Sequence, residues 1–258
     1  MKAVALLALL AGSAVAAPTP TIEERQFDLG SLASNLPNFG GSSTSSSSGS
    51  STTSASSGGE TGVNAIPDIS SLLGGDNGGI TENGVTQNKG CQPLTFIFAR
   101  GTTELGNMGS VVGPPVAKQL SSLTNNKVTV QGVDYPADAA GNVSMGSSGG
   151  PQMAKLVKQA LQQCPDTKVV LGGYSQGSMV VHNAANSLSD GQVTAAVLFG
   201  DPFKMLNVGK LSSDKVKEFC AAGDPVCENG FNVIAHLSYG GEAKTAAQFL
   251  VQAAGVSS

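Results

Sequence analysis

The chain contains few of the side chains that bind metal ions or nucleic acids. It has only two histidines and four cysteines, and no two cysteines have C-x-x-C spacing, which argues against a zinc site. Charged residues make up 12% of the 258 residues and the net charge is −4, so a basic surface for nucleic acid is not expected. No apolar run reaches the roughly 18–20 residues of a membrane span. We therefore predict no metal, no cofactor, no nucleic-acid partner and no membrane span.

The first 17 residues have the pattern of a secretory signal peptide. Lys2 gives a positive start, an apolar stretch of about a dozen residues follows, and small residues stand at Ala14-Val15-Ala16. We expect cleavage after Ala16 or Ala17 and a secreted, extracellular protein. Residues 18–25 would then be a pro-segment with a second processing point at Arg25, or an unprocessed tail.

A polar region separates this segment from the folded part of the chain. Residues 40–62 are almost entirely Ser, Thr and Gly, and such a tract cannot bury enough apolar surface to fold. Residues 63–89 add a few apolar side chains among many glycines. We predict a disordered linker over residues 26–89, with O-glycans on its Ser-rich tract, and one folded domain over residues 90–258.

Strand-like and helix-like segments alternate along the folded part. Apolar, strand-like runs occupy Leu94–Arg100, Val128–Val133, Lys168–Tyr174, Thr194–Gly200 and Val216–Ala221. Helix-like stretches occupy Ser110–Leu123, Gln152–Gln163, Gln176–Leu188 and Glu242–Ala253. This alternation predicts an α/β fold with a five-stranded parallel sheet and helices on both faces. Functional residues should lie at the carboxyl ends of the strands.

A serine between two glycines is the strongest functional signal. Residues 169–180 read VVLGGYSQGSMV, in which an apolar run leads into Gly173-Tyr174-Ser175-Gln176-Gly177 and a helix-like segment follows. This is the G-x-S-x-G nucleophile elbow in the required context of strand, sharp turn and helix. The alternative is a glycine-rich turn that holds a serine by chance. We predict that Ser175 is a nucleophile that a neighbouring base activates.

The general base that activates Ser175, and the acid that orients this base, can be sought from the positions of histidines and aspartates in the sequence. His182 lies seven residues beyond Ser175 on the next helix, about 10 Å further along, which is too far for a hydrogen bond. His236 follows late in the chain, as the Ser…Asp…His order of α/β-hydrolases requires. Asp201 and Asp224 both follow strands in Gly-Asp-Pro sequences. We favour Asp224, because a disulfide across its flanking cysteines would fix the carboxylate, and we expect Asp201 to bond local backbone amides.

The oxyanion hole needs two donors that face the developing negative charge. The amide of Gln176, directly after the nucleophile, is the expected first donor. The second should come from the loop after the first strand, ARGTTELGNMG, where Thr102 offers an amide and a hydroxyl. The alternative for this loop is a glycine-rich turn with a helix cap.

Three separated motifs together resemble the fungal cutinases. They are FIFARGTTELGNMG, GYSQG and CAAGDPVC followed by His236-Leu237-Ser238-Tyr239-Gly240, and they span the chain from about residue 91 to its end. The resemblance implies a small α/β-hydrolase with five parallel strands and an open active site without a large lid. It implies a catalytic triad of Ser175, Asp224 and His236, and an oxyanion hole of Thr102 and Gln176. We also expect the protein to be a monomer.

The resemblance also decides between the three disulfide pairings that four cysteines allow. It implies Cys91–Cys164 and Cys220–Cys227. The implied activity is a secreted serine esterase, acting on cutin and short- to medium-chain aliphatic esters through an acyl-enzyme. The alternatives are an acetylxylan esterase of the related family and a non-catalytic secreted glycoprotein.

Two further predictions concern the surface of the domain. Phe231, Val233 and Ile234 would form an apolar lip near His236 that binds the acyl chain, or else they pack as a short core strand. Asn142, in Asn142-Val143-Ser144, is a sequon in a polar, glycine-rich stretch, and we expect it to accept an N-glycan.

Overall fold

The apolar runs of the domain form a five-stranded, all-parallel sheet. The structure, a computed structural model, describes residues 78–256. The strands are β1 (Leu94–Ala99), β2 (Val128–Gly132), β3 (Lys168–Tyr174), β4 (Ala195–Phe199) and β5 (Val216–Phe219), in the order β2-β1-β3-β4-β5. The α/β class and the five strands predicted from the sequence are confirmed.

Among residues 78–256, six α-helices accompany the sheet. They are α1 (Gly113–Leu123), α2 (Ala139–Val143), α3 (Gly150–Gln163), α4 (Gln176–Asn186), α5 (Val233–His236) and α6 (Ala243–Ala254). Short 3₁₀ turns cover Ser213–Lys215 and Tyr239–Glu242. None of the helices between residues 78 and 256 is long and apolar enough to cross a membrane.

Each face of the sheet has its own apolar core. On one face, Phe96 and Phe98 of β1 pack with Leu120 of α1 and Leu250 of α6. On the other face, Ile97 packs among residues of α3 and α4. All six positions of β1 are buried because both faces of this central strand are covered by helices.

Two short helices were not predicted, and the start of one helix was displaced. The side chains of Asp138 and Asn232 cap α2 and α5, each accepting a backbone N–H of the first turn. Segments this short lack a readable periodicity. Helix α1 begins at Gly113 rather than Ser110, and the N–H groups of Ser110 and Val111 donate to the Glu104 carboxylate.

The packed structure begins before residue 90, so the linker predicted over 26–89 is too long at its carboxyl end. Val85 is buried, Asn83 forms an antiparallel bridge with Gln131 of the edge strand β2, and Gly84 N–H donates to Val130 O at 2.9 Å. The many glycines of this segment led to the prediction of a linker, although its backbone pairs with strand β2. We call residues 78–89 the N-terminal arm. The signal peptide, the pro-segment and the rest of the linker lie outside the described residues.

Candidate active site

Ser175 sits in a strained turn between β3 and α4. Its backbone has φ 55° and ψ −118°, and its N–H donates to Phe199 O of the neighbouring strand at 2.9 Å. A Cβ at Gly173 would lie 2.5 Å from Gly177 O, and one at Gly177 would lie 2.0 Å from Ala99 O. Both glycines are therefore required by close backbone approach, and the turn presents Ser175 at the carboxyl end of the sheet.

Asp224 and His236 form a hydrogen-bonded pair beyond the ends of β4 and β5. His236 Nδ1 lies 2.8 Å from Asp224 Oδ2, and the Asp224 side chain is fully buried. Tyr239 donates its hydroxyl to the same carboxylate oxygen, while the N–H groups of Val226 and Cys227 donate to Oδ1. Because Nδ1 is taken by the carboxylate, Nε2 is the ring nitrogen that remains for proton transfer.

The hydrogen bonds keep the Asp224 carboxylate ionised in spite of its burial. Burial alone raises the pKa of Asp224, but the hydrogen bonds from Tyr239, His236 and the Val226 N–H outweigh it and hold the pKa below its usual value. Burial, together with the bond to Asp224, raises the pKa of Tyr239, so this phenol stays a donor. The pair therefore has a fixed negative charge that can stabilise an imidazolium.

His236 is placed against the elbow by two neighbours. Tyr174 donates its hydroxyl to His236 O at 2.9 Å, and the two rings have their centroids 5.1 Å apart. Gly200, with φ +56°, lets the imidazole approach the end of β4, since a Cβ there would lie 2.6 Å from His236 Cε1. His236 is the last residue of the one-turn helix α5.

Thr102 and Gln176, the two residues predicted to form the oxyanion hole, lie close to each other. Among residues 78–256, the N–H groups of Thr102 and Gln176 have no hydrogen-bond acceptor in the protein. Gln176 Nε2 lies 3.1 Å from Thr102 Oγ1, which brings the two residues together. Unpaired N–H groups on adjacent segments are the donors that an oxyanion hole requires.

The Thr102 hydroxyl has partners of its own, a detail that sequence reasoning missed. Thr102 Oγ1 donates to Asn142 Oδ1 at 3.1 Å, and Gln176 Nε2 donates to the same amide oxygen at 2.8 Å. The sequon residue Asn142 therefore lies half-buried in α2, beside the two proposed donors, with its carbonyl oxygen engaged. Forty residues separate Asn142 from Thr102, and no local pattern signals the contact.

His182 and Asp201, the two rejected candidates, are bonded to each other. His182 Nε2 lies 2.8 Å from Asp201 Oδ2, both residues are buried, and Phe203 N–H donates to Asp201 Oδ1. Asp201 thus takes a backbone amide as expected, but its histidine partner was not foreseen. Ligand atoms of His182, Asp201 and Glu218 lie within 4.8 Å of one another. Hydrogen bonds already occupy both Asp201 oxygens and both ring nitrogens of His182.

The predicted lip is exposed to solvent rather than packed in the core. Phe231 is 99% exposed, Ile234 73% and Val233 40%. Further exposed apolar side chains lie near Thr102 and Asn142 in the sequence, at Leu105, Val143 and Met145. Sequence reasoning missed this second group, although isolated apolar residues in a Gly- and Ser-rich stretch are a readable signal.

Of the two disulfides between residues 78 and 256, one closes a loop of the candidate site and the other lies before the strands β1 and β3. Cys220 pairs with Cys227, closing the loop that carries Asp224, and Cys91 pairs with Cys164, joining the segment before β1 to the end of α3. These are the pairings that the resemblance implies. A groove of about 790 Å³ between α3 and α4, lined by Lys155, Lys158 and Asn183 among others, is separate from these residues.

Comparisons with known proteins agree on one family. The family model described as Cutinase matches residues 90–254. Cutinase 4 of Emericella nidulans is 68% identical over 179 residues, which cover 69% of this chain and 79% of that protein. A cutinase of Botryotinia fuckeliana is 45% identical over 179 residues, covering 67% of this chain and 89% of the relative.

Two solved structures are also similar to the chain. A Trichoderma reesei cutinase in complex with a C11Y4 phosphonate inhibitor has a TM-score of 0.60 and 42% identity, over 64% of this chain and 77% of that one. An acetylxylan esterase has a TM-score of 0.54 and 28% identity, over 64% of this chain and all of that one.

Proposed function

The chain belongs to the cutinase family and is a carboxylic ester hydrolase, and on that premise we propose that it is a secreted serine esterase that hydrolyses cutin and short- to medium-chain aliphatic esters. Ser175, His236 and Asp224 are its triad, and Thr102 and Gln176 its oxyanion hole. The observation that carries the proposal is the bond between the ionised, buried Asp224 and His236, beside the strained turn of Ser175.

In the first half of the reaction, His236 Nε2 removes the proton of the Ser175 hydroxyl as the oxygen attacks the ester carbonyl. The N–H groups of Thr102 and Gln176 donate to the oxyanion that develops. The ester C–O bond then breaks, His236 returns its proton to the leaving alkoxide, and the alcohol departs from an acyl-enzyme on Ser175.

In the second half, a water molecule replaces the alcohol. His236 takes one proton of the water as its oxygen attacks the acyl carbon, and the same donors stabilise the second oxyanion. The bond to Ser175 breaks, the serine recovers its proton from His236, and a carboxylic acid leaves. Asp224 stays ionised throughout and stabilises the imidazolium in both halves.

The exposed apolar side chains support an aliphatic acyl group as substrate. Each methylene removed from water contributes up to about 0.8 kcal/mol, and the lip of Phe231, Val233 and Ile234 is open enough that the gain should stop after a few carbons. The structural likeness to an acetylxylan esterase keeps acetylated xylan as the second candidate. An acetyl group would leave the lip unfilled, so we expect it to be the poorer substrate.

Secretion agrees with the two disulfides, which persist in oxidising compartments. In that setting the substrate would be an insoluble extracellular polyester, met by a monomeric enzyme.

The test compares the wild-type enzyme with Ser175→Ala on cutin, a butyrate ester and acetylated xylan, with phosphonate labelling of the serine. We expect labelling of the wild type at Ser175, hydrolysis of cutin and butyrate, and loss of both activities in a folded Ser175→Ala protein. His236→Asn should be nearly as inactive, and His182→Asn is the matched control that should keep most activity.

Three results would contradict parts of the proposal. Efficient deacetylation of xylan, with cutin and butyrate untouched, would make the chain an acetylxylan esterase. A folded wild-type protein without labelling or hydrolysis would favour the non-catalytic glycoprotein. Substantial turnover by Ser175→Ala would exclude Ser175 as the nucleophile.

A further inference from the structure

The N-terminal arm contacts the loop that carries Thr102. This loop, residues 101–109, is called the oxyanion loop here. Ile80 O accepts the N–H groups of both Asn107 and Met108, at 3.0 and 2.9 Å. Gly106, with φ +67°, makes the approach possible, because a Cβ there would lie 1.9 Å from Ile80 O. The arm lies before the residues that the cutinase family model matches, so the family match itself gives it no role.

Asn107 joins the two segments through its whole side chain. Its Oδ1 accepts Glu82 N–H at 2.9 Å, and its Nδ2 donates to Glu82 O at 3.1 Å and to Asn83 Oδ1 at 3.0 Å. Asn107 is 1% exposed, so its side chain is shielded from bulk water. An oxygen in place of Nδ2 would face two acceptors and would be repelled.

The other side of the oxyanion loop is held by different groups. The Glu104 carboxylate accepts Gly101 N–H at 2.7 Å, and Arg100 Nε donates to Glu104 O at 2.8 Å. Thr103 N–H donates to Ala137 O at 2.7 Å. Between these anchors and Asn107 the loop faces solvent, and Leu105 is 72% exposed. The arm is therefore the anchor at the carboxyl-terminal side of the segment that carries the Thr102 N–H.

The arm is itself fixed to the sheet. Gly132 N–H donates to Glu82 O, and Gln131 Oε1 accepts the N–H groups of Val85 and Thr86. The Glu82 carboxylate is buried and accepts two N–H groups of the arm, at Gly78 and Gly79. The arm therefore connects the oxyanion loop to strand β2 through hydrogen bonds.

We propose that Asn107 is a positioning residue for ester hydrolysis, which holds the Thr102 donor in place by docking the oxyanion loop onto the N-terminal arm. The inference rests on the proposed function, since Thr102 must serve the oxyanion for its position to affect turnover. A displacement of about 1 Å in a catalytic group can cost up to about 100-fold in rate.

The test uses Asn107→Asp in the full-length chain, because this change keeps the size of the side chain and replaces only the Nδ2 donor. With a soluble butyrate ester we expect kcat to fall about tenfold or more while KM stays within about twofold, since the oxyanion exists only after attack. The rate of phosphonate labelling at Ser175 should fall by a similar factor. Hydrogen exchange of the amides at 102–107 should become faster.

Two further variants keep the result interpretable if Asn107→Asp folds poorly. Asn83→Ala removes only one acceptor of Nδ2, and we expect a loss of about two- to fivefold in kcat. Thr86→Val is the matched control: it removes the hydroxyl bonds to Gln131 Oε1 and Asn83 O but none of the bonds of Asn107, and it should leave kcat unchanged.

Unchanged kcat in folded Asn107→Asp or Asn83→Ala would overturn the inference while leaving the proposed function in place. An equal fall in Thr86→Val, in step with lost thermal stability, would also overturn it, because the role would then be structural. A wild-type protein that neither hydrolyses the ester nor reacts with the phosphonate would overturn the proposed function and this inference together.

Discussion

At the scale of single residues, two buried carboxylates with similar sequence contexts have different surroundings. Asp201 and Asp224 both follow strands in Gly-Asp-Pro sequences, and each is bonded to a histidine. Only the partner of Asp224 lies against the strained turn of Ser175. The partner of Asp201 is His182 in α4, buried with it. We expect the two pairs to contribute to catalysis and to stability, respectively.

Asp224→Asn should reduce kcat by about 10³–10⁴-fold in a folded protein, because the amide cannot hold His236 in the correct tautomer or stabilise its cation. Asp201→Asn should reduce kcat less than about tenfold but lower the free energy of unfolding by about 1–3 kcal/mol, since it weakens a buried bond. Ester kinetics and urea unfolding of both variants measure this. The reversed order of kcat losses would make Asp201 the acid.

Glu218 should make stability depend on pH. Burial and the negative charge of Asp201, opposed by Lys204, raise the pKa of Glu218 from 4.5 to about 8. Between pH 4.5 and pH 8 the folded state therefore binds more protons than the unfolded state, so stability falls as pH rises through this range. The loss should be on the order of 2 kcal/mol, below the full linkage value because the carboxylate is partly exposed.

Glu218→Gln should remove this dependence, since an amide does not titrate. The measurement is the change in the urea midpoint of unfolding between pH 5 and pH 8. An equal change in the wild type and in Glu218→Gln would contradict the prediction.

At the scale of elements, the loop between β5 and α5 combines a short disulfide with the candidate acid. Val226 and Cys227 donate their N–H groups to Asp224 from inside the loop that Cys220–Cys227 closes. The other disulfide closes a separation of 73 residues and has no contact with Asp224. Loss of Cys220–Cys227 should therefore mainly reduce activity, and loss of Cys91–Cys164 should mainly reduce stability.

Replacing Cys220 and Cys227 by Ser should lower kcat about tenfold at temperatures where the protein is folded, because the Asp224 loop loosens. Replacing Cys91 and Cys164 by Ser should cost more stability, about 4 kcal/mol against about 2 kcal/mol by loop entropy, with little change in kcat. Paired thermal unfolding and ester assays decide the matter. If the two double variants lost the same factor in kcat for each degree by which the melting temperature falls, the short loop would have no special role in catalysis.

At the scale of the whole molecule, the sheet and the order of the motifs could be predicted, but contacts between distant polar residues could not. The buried strands are continuous apolar runs, and G-x-S-x-G fixes the turn at Ser175 by local sterics. The bonds of Asn142 to Thr102 and of Asn107 to the N-terminal arm depend on three-dimensional packing of short polar segments. Hydrophobic periodicity carries no information about such bonds, which is also why the arm was predicted as linker.

The exposed apolar surface should matter for insoluble substrates. Phe231, 99% exposed, can contact a polyester surface without any movement of the protein. Phe231→Ser should lower the rate on a polyester film about three- to tenfold, because less apolar area is removed from water, and leave a soluble acetate ester nearly unaffected. Phe231→Leu is the control that should keep most of the film activity. If Phe231→Ser left the rate on the film unchanged, Phe231 would not be part of the contact with the polyester surface.

Asn142 connects the chemistry of the site to the way the protein is produced. A glycan on this sequon would be attached at Nδ2, while Oδ1 of the same amide receives the Thr102 hydroxyl and the Gln176 side chain. Sugar units would then stand beside Thr102 and Gln176, the residues proposed to form the oxyanion hole. Preparations from a glycosylating yeast and from a bacterium would be two different enzymes with one sequence, and their rates could be compared only after the occupancy of Asn142 had been measured by mass.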